Sequence, residues 1–426
     1  MSAMHRPYLR VLVSPLLIAA VAFAVRLAAL HYTRNYEITA QHFIFAGETG
    51  RIARAIASGE GFSSPLTGHT GPTAWLPPVY PYLLGAVFRL FGIYSSTSAW
   101  VILTLNSLFS ALSCLSIFAI SNAAFNRTVA AVAGWTWAIY PSAIYHSVKT
   151  VWEPSLSALL FSLVFLVTLH LRCSSRLLHW AGLGLLWALT VLTNLTFLSL
   201  IPFFLAWLWF RNGRQDPRFG RLAGALVLAL LLGVTPWLAR NYVTFGRFVF
   251  IRSNFGLELF LGNNEDASGV LAFWLHPGRN EDEMTSYRRM GELAYMAKKQ
   301  EEAFQFIMTH PERFLWASFK RFVFFWTGNW ELNYYFWFPG RFAAAKFGLY
   351  ILMSSLAFIG FFLTVKHSNR YAVPFMLVIT FFPLIHYITY SSPRYRHPIE
   401  PMLVVLAVYA AMSYLLKRRS IVRRPT

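Results

Sequence analysis

The sequence predicts an all-α, polytopic membrane protein, and three observations carry that prediction. The chain of 426 residues is 56% hydrophobic and only 13% charged, where a soluble domain carries about a quarter charged residues. Its apolar residues gather in long runs, each about the length of a bilayer crossing. Its basic residues sit in the short loops between alternate runs. A chain of this kind cannot keep its apolar surface out of water by folding on itself, so the bilayer is its solvent.

The apolar runs lie at 11–31, 98–122, 128–147, 153–171, 178–193, 195–210, 222–240, 342–365, 371–390 and 399–416. They predict a bundle of about ten transmembrane helices. The first run, from Val11, has no small-residue cleavage site and reads as a retained span. The stretch 178–210 is long enough for two short spans joined near Asn194. The segment 77–93 is proline-led and carries Arg89, and it is expected to lie at the membrane interface.

Charge sets the expected orientation. With the N-terminus inside, the cytoplasmic pieces hold Arg6, Arg10, Arg127, Arg172, Arg176, the loop 211–221, Lys366, Arg370 and the tail KRRSIVRRPT. Asp216 is the only acid among them; the rest of the chain's 17 acids fall outside. This positive-inside pattern predicts an inner-membrane protein with both termini cytoplasmic and its working surface extracytoplasmic.

The chain then divides into three parts. Residues 1–240 form an N-terminal transmembrane module with a first outer loop at 33–97. Residues 241–341 form an extracytoplasmic segment. Residues 342–426 hold the C-terminal transmembrane helices, a basic outer turn at 391–398 and the cytoplasmic tail. Within the middle part, 281–325 has the spacing of an amphipathic helix, broken at His310-Pro311.

Several function classes fall away at this point. The net charge of +20 would suggest nucleic acid in a soluble protein, but here it follows the membrane topology and no nucleic-acid motif accompanies it. The two cysteines, Cys114 and Cys173, form no disulfide framework or zinc motif. Paired repeats of the kind many transporters share are absent, and Arg26 is the clearest charge within a span.

The chemistry-bearing residues collect at the outer face. Glu48 opens a helix, ETGRIARAIASG, that ends at Gly59 or Gly61. It is either a helix-start acid paired with Arg51 or Arg54, or a catalytic carboxylate beside the headgroups. A Gly-, Pro- and Trp-rich stretch follows, with Trp75 and Tyr80 as candidate substrate contacts. Glu153 heads a later span, with Pro154 behind it and Lys149 before it; it is a helix N-terminal acid or a second site carboxylate. Arg394, Arg396 and His397 lie in SSPRYRHPIEP, stiffened by Pro393 and Pro398. Guanidinium forks on the outer face suit phosphate oxygens. Arg252, Asn254, Glu258 and Asn263 add groups that suit sugar hydroxyls, although loop chemistry explains them as well. Glu265 and Asp266 leave a divalent cation open, without the spacing of a known metal motif.

Taken together, the acid of the first outer loop, RIARAIASGEGFSSP, GPTAWLPPVYPYLL, the charged outer segment and PRYRHPIEP resemble the bacterial GT-C-fold membrane glycosyltransferases, the family 39-like group. That group is related to protein O-mannosyltransferases and to the aminoarabinose transferase of lipid A. The resemblance covers nearly the whole chain. It implies a GT-C-like bundle, a polyprenyl-phosphate sugar donor presented outside, and a lipid, glycan or protein acceptor. It implies Glu48 as the base and Glu153 as the second acid. It also implies that Arg394 and Arg396, with His397 and Lys149 nearby, hold the lipid phosphate. The residue types then predict direct displacement with inversion, needing no redox cofactor. A lipid-linked saccharide transporter is the alternative; it would share the basic outer turn but have no use for Glu48.

Overall fold

The computed structural model describes residues 13–37, 45, 47–149, 151–171, 174, 176–214, 216–266, 269–328 and 340–422. Arg6, Arg10, Arg172, Cys173 and the end of the tail at 423–426 lie outside the described residues, as do parts of the two long outer segments. Among the described residues the structure is helical, with one isolated bridge between Ser63 and Pro72.

Every predicted apolar run carries helix. Six helices are long and apolar enough to cross a bilayer: Pro15–Thr33, Ser96–Ala124, Pro154–Leu171, Phe219–Phe245, Ala345–Lys366 and Pro393–Leu415. The remaining runs are helical but interrupted, and each interruption has a local cause. The run 128–147, expected as one span, is two helices, Arg127–Ile139 and Pro141–Val148, because Pro141 has no N–H to continue the first. Leu177–Val191 ends before Asn194, whose side chain caps the next turn by accepting from the Thr196 amide (3.1 Å). Ala372–Phe381 and Leu384–Ile388 are parted at Pro383. The chain is a multi-pass membrane protein.

Small residues let the helices approach closely. A Cβ on Gly184 would stand 2.2 Å from the carbonyl oxygen of Leu226, and one on Gly360 would stand 1.9 Å from that of Leu406. Both positions therefore exclude any larger side chain. Arg26 is fully buried between helices. Its guanidinium donates to Ser110 Oγ (2.9 Å) and to the carbonyls of Ala22 (2.9 Å), Ala138 (3.0 Å) and Trp137 (3.1 Å). The last two carbonyls belong to the helix end that the Pro141 break leaves open, so the charge within the span is structural.

The expected amphipathic helix at 281–325 is three helices: Glu281–Met290, Glu292–Thr309 and Pro311–Thr327. The His310-Pro311 break occurs as expected. A second break falls at Gly291, whose φ of 76° is in the left-handed region open to glycine.

Candidate active site

The loop after the first span enters helix Glu48–Ala57 through Gly47, with φ 51°. Ile52, Ala53 and Ala55 bury one face of this helix and fix its rotation, which leaves Glu48 half-exposed at its start. Its carboxylate is paired with neither Arg51 nor Arg54. It faces His276, with Oε1 3.7 Å from Nε2. Arg51 instead donates to the carbonyl of Pro65 (3.2 Å).

His276 is buried in a turn of the middle segment. Its Nδ1 accepts the amide proton of Gly278 (3.0 Å), so the neutral ring carries its own proton on Nε2, toward Glu48. Trp75 meets the imidazole edge-to-face at 5.7 Å and Phe273 stacks on it at 5.9 Å. Burial pushes the His276 pKa below the usual histidine value, against the attraction of Glu48 and Glu258.

Glu258 begins a line of contacts across the site. Its Oε1 receives Arg252 Nη2 (3.1 Å) and Asn254 Nδ2 (2.9 Å), while Arg252 Nε donates to Asn254 Oδ1 (2.5 Å). Its carboxylate also acts on the Tyr390 hydroxyl. Tyr390 accepts from Tyr395 (2.7 Å), whose hydroxyl accepts from Arg394 Nη2 (3.1 Å). The Arg394 guanidinium lies 4.3 Å over the Trp152 ring and interacts with the carboxylate of Glu153. Tyr80, held by Asn106 at 2.9 Å, feels Glu153 from the other side. Lys149 is half-buried at the end of helix Pro141–Val148, just ahead of Trp152.

Three expected site residues are not brought into this group. Asn263 is buried, with Nδ2 donating to the carbonyls of Leu259 (2.8 Å) and Ile388 (2.9 Å) and Oδ1 accepting from Arg321 (3.1 Å). Arg396 and His397 are fully buried around Glu400. Arg396 Nε stands 3.4 Å from one Glu400 oxygen and His397 Nδ1 2.7 Å from the other. Arg396 also donates to the Trp326 carbonyl (2.9 Å) and lies over Tyr350 (4.4 Å). Arg394 and Arg396 differ because residues two apart in a helical turn point to nearly opposite sides.

The frame around the site rests on Glu292, which the sequence did not single out. Its buried carboxylate accepts from the Thr73 hydroxyl, the Ala74 amide (2.7 Å), Ser253 Oγ (2.6 Å) and Tyr287 OH (3.0 Å). One side chain thus ties the first outer loop to the strip that carries Arg252 and Asn254. Burial pushes the Glu292 carboxyl upward while these donors pull it back. Arg240 adds bonds of 2.7 Å to the carbonyls of Phe62 and Thr73, closing the loop between them.

His276, Tyr390 and Tyr395 also escaped sequence reasoning. The only signal for His276 is its place in the turn-forming HPG tripeptide. Among the described residues no group of three or more His, Cys, Asp or Glu side chains is arranged to hold a metal ion.

Residues 76–238 match the family model described as dolichyl-phosphate-mannose-protein mannosyltransferase. The matched segment includes Tyr80, Lys149 and Glu153 and ends before Arg252. No curated protein sequence matches the chain. Among solved structures, the oligosaccharyltransferase AglB from Archaeoglobus fulgidus, in complex with an inhibitory peptide and a dolichol-phosphate, is similar. Its TM-score is 0.51 at 14% identity, over 89% of this chain and 48% of that one. The Archaeoglobus fulgidus oligosaccharyltransferase in the apo form gives 0.55 at 12% identity, over 99% and 53%. ArnT from Cupriavidus metallidurans, bound to undecaprenyl phosphate, gives 0.39 at 14% identity, over 96% and 80%. The chain spans about half the length of the oligosaccharyltransferases it matches. The chain is a polytopic membrane protein that shares the fold of these oligosaccharyltransferases, and its segment 76–238 matches the mannosyltransferase family model.

Proposed function

We propose that this chain is a glycosyltransferase that moves a sugar from a polyprenyl-phosphate donor to an acceptor hydroxyl at the extracytoplasmic face of a bacterial inner membrane. The observation that carries the reading is the Glu48–His276 pair (3.7 Å) and, acting on it electrostatically through Glu258, the network that runs by Tyr390 and Tyr395 to Arg394. A carboxylate suited to take a proton and a guanidinium suited to hold a phosphate thus stand at the two ends of one electrostatically linked set of residues. The basic cytoplasmic loops support the orientation.

In this mechanism Glu48 accepts the proton of the acceptor hydroxyl as its oxygen attacks the anomeric carbon. The bond from that carbon to the phosphate oxygen breaks, and the lipid phosphate departs with its electron pair. Arg394, stacked on Trp152, meets the growing charge without reorganising. Glu153 balances the guanidinium before the donor arrives. Tyr80 and Arg252, Asn254 and Glu258 supply hydrogen bonds for the sugar, and Lys149 adds positive charge near the phosphate. One displacement inverts the anomeric configuration.

The deciding experiment uses purified protein in detergent, a panel of polyprenyl-phosphate sugars and membrane extract as acceptor. Transfer by the wild type, lost in Glu48→Gln with donor binding kept, is the expected result. Equal transfer by both would take Glu48 out of the chemistry. Donor binding without transfer to any acceptor fraction would point to lipid-linked saccharide transport.

A further inference from the structure

A cavity of about 330 Å³ opens beside the Glu48 helix, lined by Arg51, Arg54, Glu60, Leu66, Thr67, His69 and Tyr94, with Gly68 at its rim. One wall is a rigid hairpin. Ser63 bridges Pro72, the Ser64 amide donates to the Gly71 carbonyl (2.8 Å), and the Thr73 amide donates to the Phe62 carbonyl (3.1 Å). Arg288 pins the tip through the Thr67 carbonyl (3.0 Å). The opposite wall is the Glu48 helix, which presents Arg51 about one turn and Arg54 nearly two turns beyond the carboxylate.

The charge in this cavity is unbalanced. Its one acid, Glu60, is drawn to His69 (3.5 Å). Among the described residues Arg54 has no ion-pair partner, and Arg51 has only the Pro65 carbonyl. Both guanidiniums act on the Tyr94 ring hydroxyl. A half-buried guanidinium without a carboxylate is a ready receptor for an oxyanion.

The cavity adjoins the catalytic pair at two points. Arg51 acts electrostatically on His276. Leu66, which lines the cavity, lies next to Gly278, where an added Cβ would stand 3.9 Å from Leu66 Cδ2, and Gly278 is the residue whose amide orients His276.

We infer that this cavity holds an anionic group, phosphate or carboxylate, of the acceptor, and so places the acceptor hydroxyl at Glu48. The inference rests on the glycosyltransferase reading and gives its acceptor a chemical class: an acidic molecule. Donor and acceptor anions then occupy separate guanidiniums, Arg394 for one and Arg51 with Arg54 for the other.

Phenyl phosphate and benzoate serve as probes, titrated calorimetrically into the full-length protein in detergent. Arg394→Gln is the host, so that the donor site is silent. The host is expected to bind one probe saturably, and adding Arg54→Gln to weaken it about tenfold or more. Arg54→Lys should recover part of the loss, and it decides the matter if Arg54→Gln fails to fold. Tighter phenyl phosphate assigns a phosphorylated acceptor, and tighter benzoate a carboxylated one. Equal affinity with and without Arg54, or binding of neither probe by the host, would overturn the inference. Because no sugar transfer is read, loss of the glycosyltransferase reading in the Glu48→Gln assay and loss of this site are separate results.

Discussion

Nε2 of His276 stands 3.7 Å from Oε1 of Glu48, while Nδ1 of the same ring accepts the Gly278 amide. The histidine is thereby set to face one carboxylate oxygen with an N–H, and the other oxygen stays free of it. In the proposed mechanism it acts through Glu48 and is a positioning residue.

Replacing His276 by Phe should therefore lower kcat for sugar transfer about ten- to a hundredfold, with the donor KM little changed. His276→Gln, which can still offer an N–H, should recover part of it. Equal loss in both variants, or a loss confined to donor KM, would remove the positioning role.

The two neighbouring arginines should respond differently. Arg394→Lys keeps charge but loses the planar fork, and should weaken donor binding about tenfold while the protein stays folded. Arg396→Met takes the guanidinium from the buried Glu400, leaving it His397 and the hydroxyls of Tyr140 and Ser142, and should destabilise the fold by about 3–5 kcal/mol. Thermal unfolding in detergent, set beside donor binding, separates the two effects.

Glu292→Gln places an amide where the Thr73, Ala74, Ser253 and Tyr287 donors converge. At least one of these donors is left facing an N–H. The expected cost is about 1–3 kcal/mol. Proteolysis should then open the 62–76 loop before the transmembrane helices, because that loop is what Glu292 holds.

Acid sensitivity follows from His276. Its folded pKa lies below the ordinary value of about 6.5. Between the two values the unfolded chain binds a proton that the folded chain refuses, so stability falls as pH drops through that window. Below the folded value both states are protonated and the loss stops growing. His276→Gln should show a flatter dependence of Tm between about pH 7.5 and pH 5. An unchanged slope would show that other groups set the acid response.

The fold was largely legible because span length and loop charge obey the bilayer directly. The interruptions at Pro141 and Pro383 were written in the sequence too, although run length alone hid them. Where candidate residues would sit was legible when a residue's own neighbourhood revealed it. Glu48 and Glu153 each head a helix at the polar face, and Arg252, Asn254 and Glu258 form one local cluster. What the sequence concealed depends on distant pairing. Glu292 meets Thr73 across 219 residues, and no local pattern announces that contact. Arg396 and His397 looked like Arg394 because charge composition does not record which way a turn faces. The i to i+4 spacing of Arg396 and Glu400 held the clue to an internal pair.

The Arg26 guanidinium has a bearing on how this molecule is made. The carbonyl of Ala138, freed at the Pro141 break, cannot be left bare in hydrocarbon, and that of Trp137 keeps only a long bond from the Tyr140 amide (3.3 Å). They are completed by a side chain from a helix synthesised more than a hundred residues earlier, with separations of 112 and 111 positions. The leading helix must still be at hand when the broken one enters the bilayer. Helix Pro15–Thr33 is thus part of what completes a helix that follows it by more than a hundred residues. A fusion that swaps in a foreign leading helix of equal hydrophobicity would insert yet fail to mature.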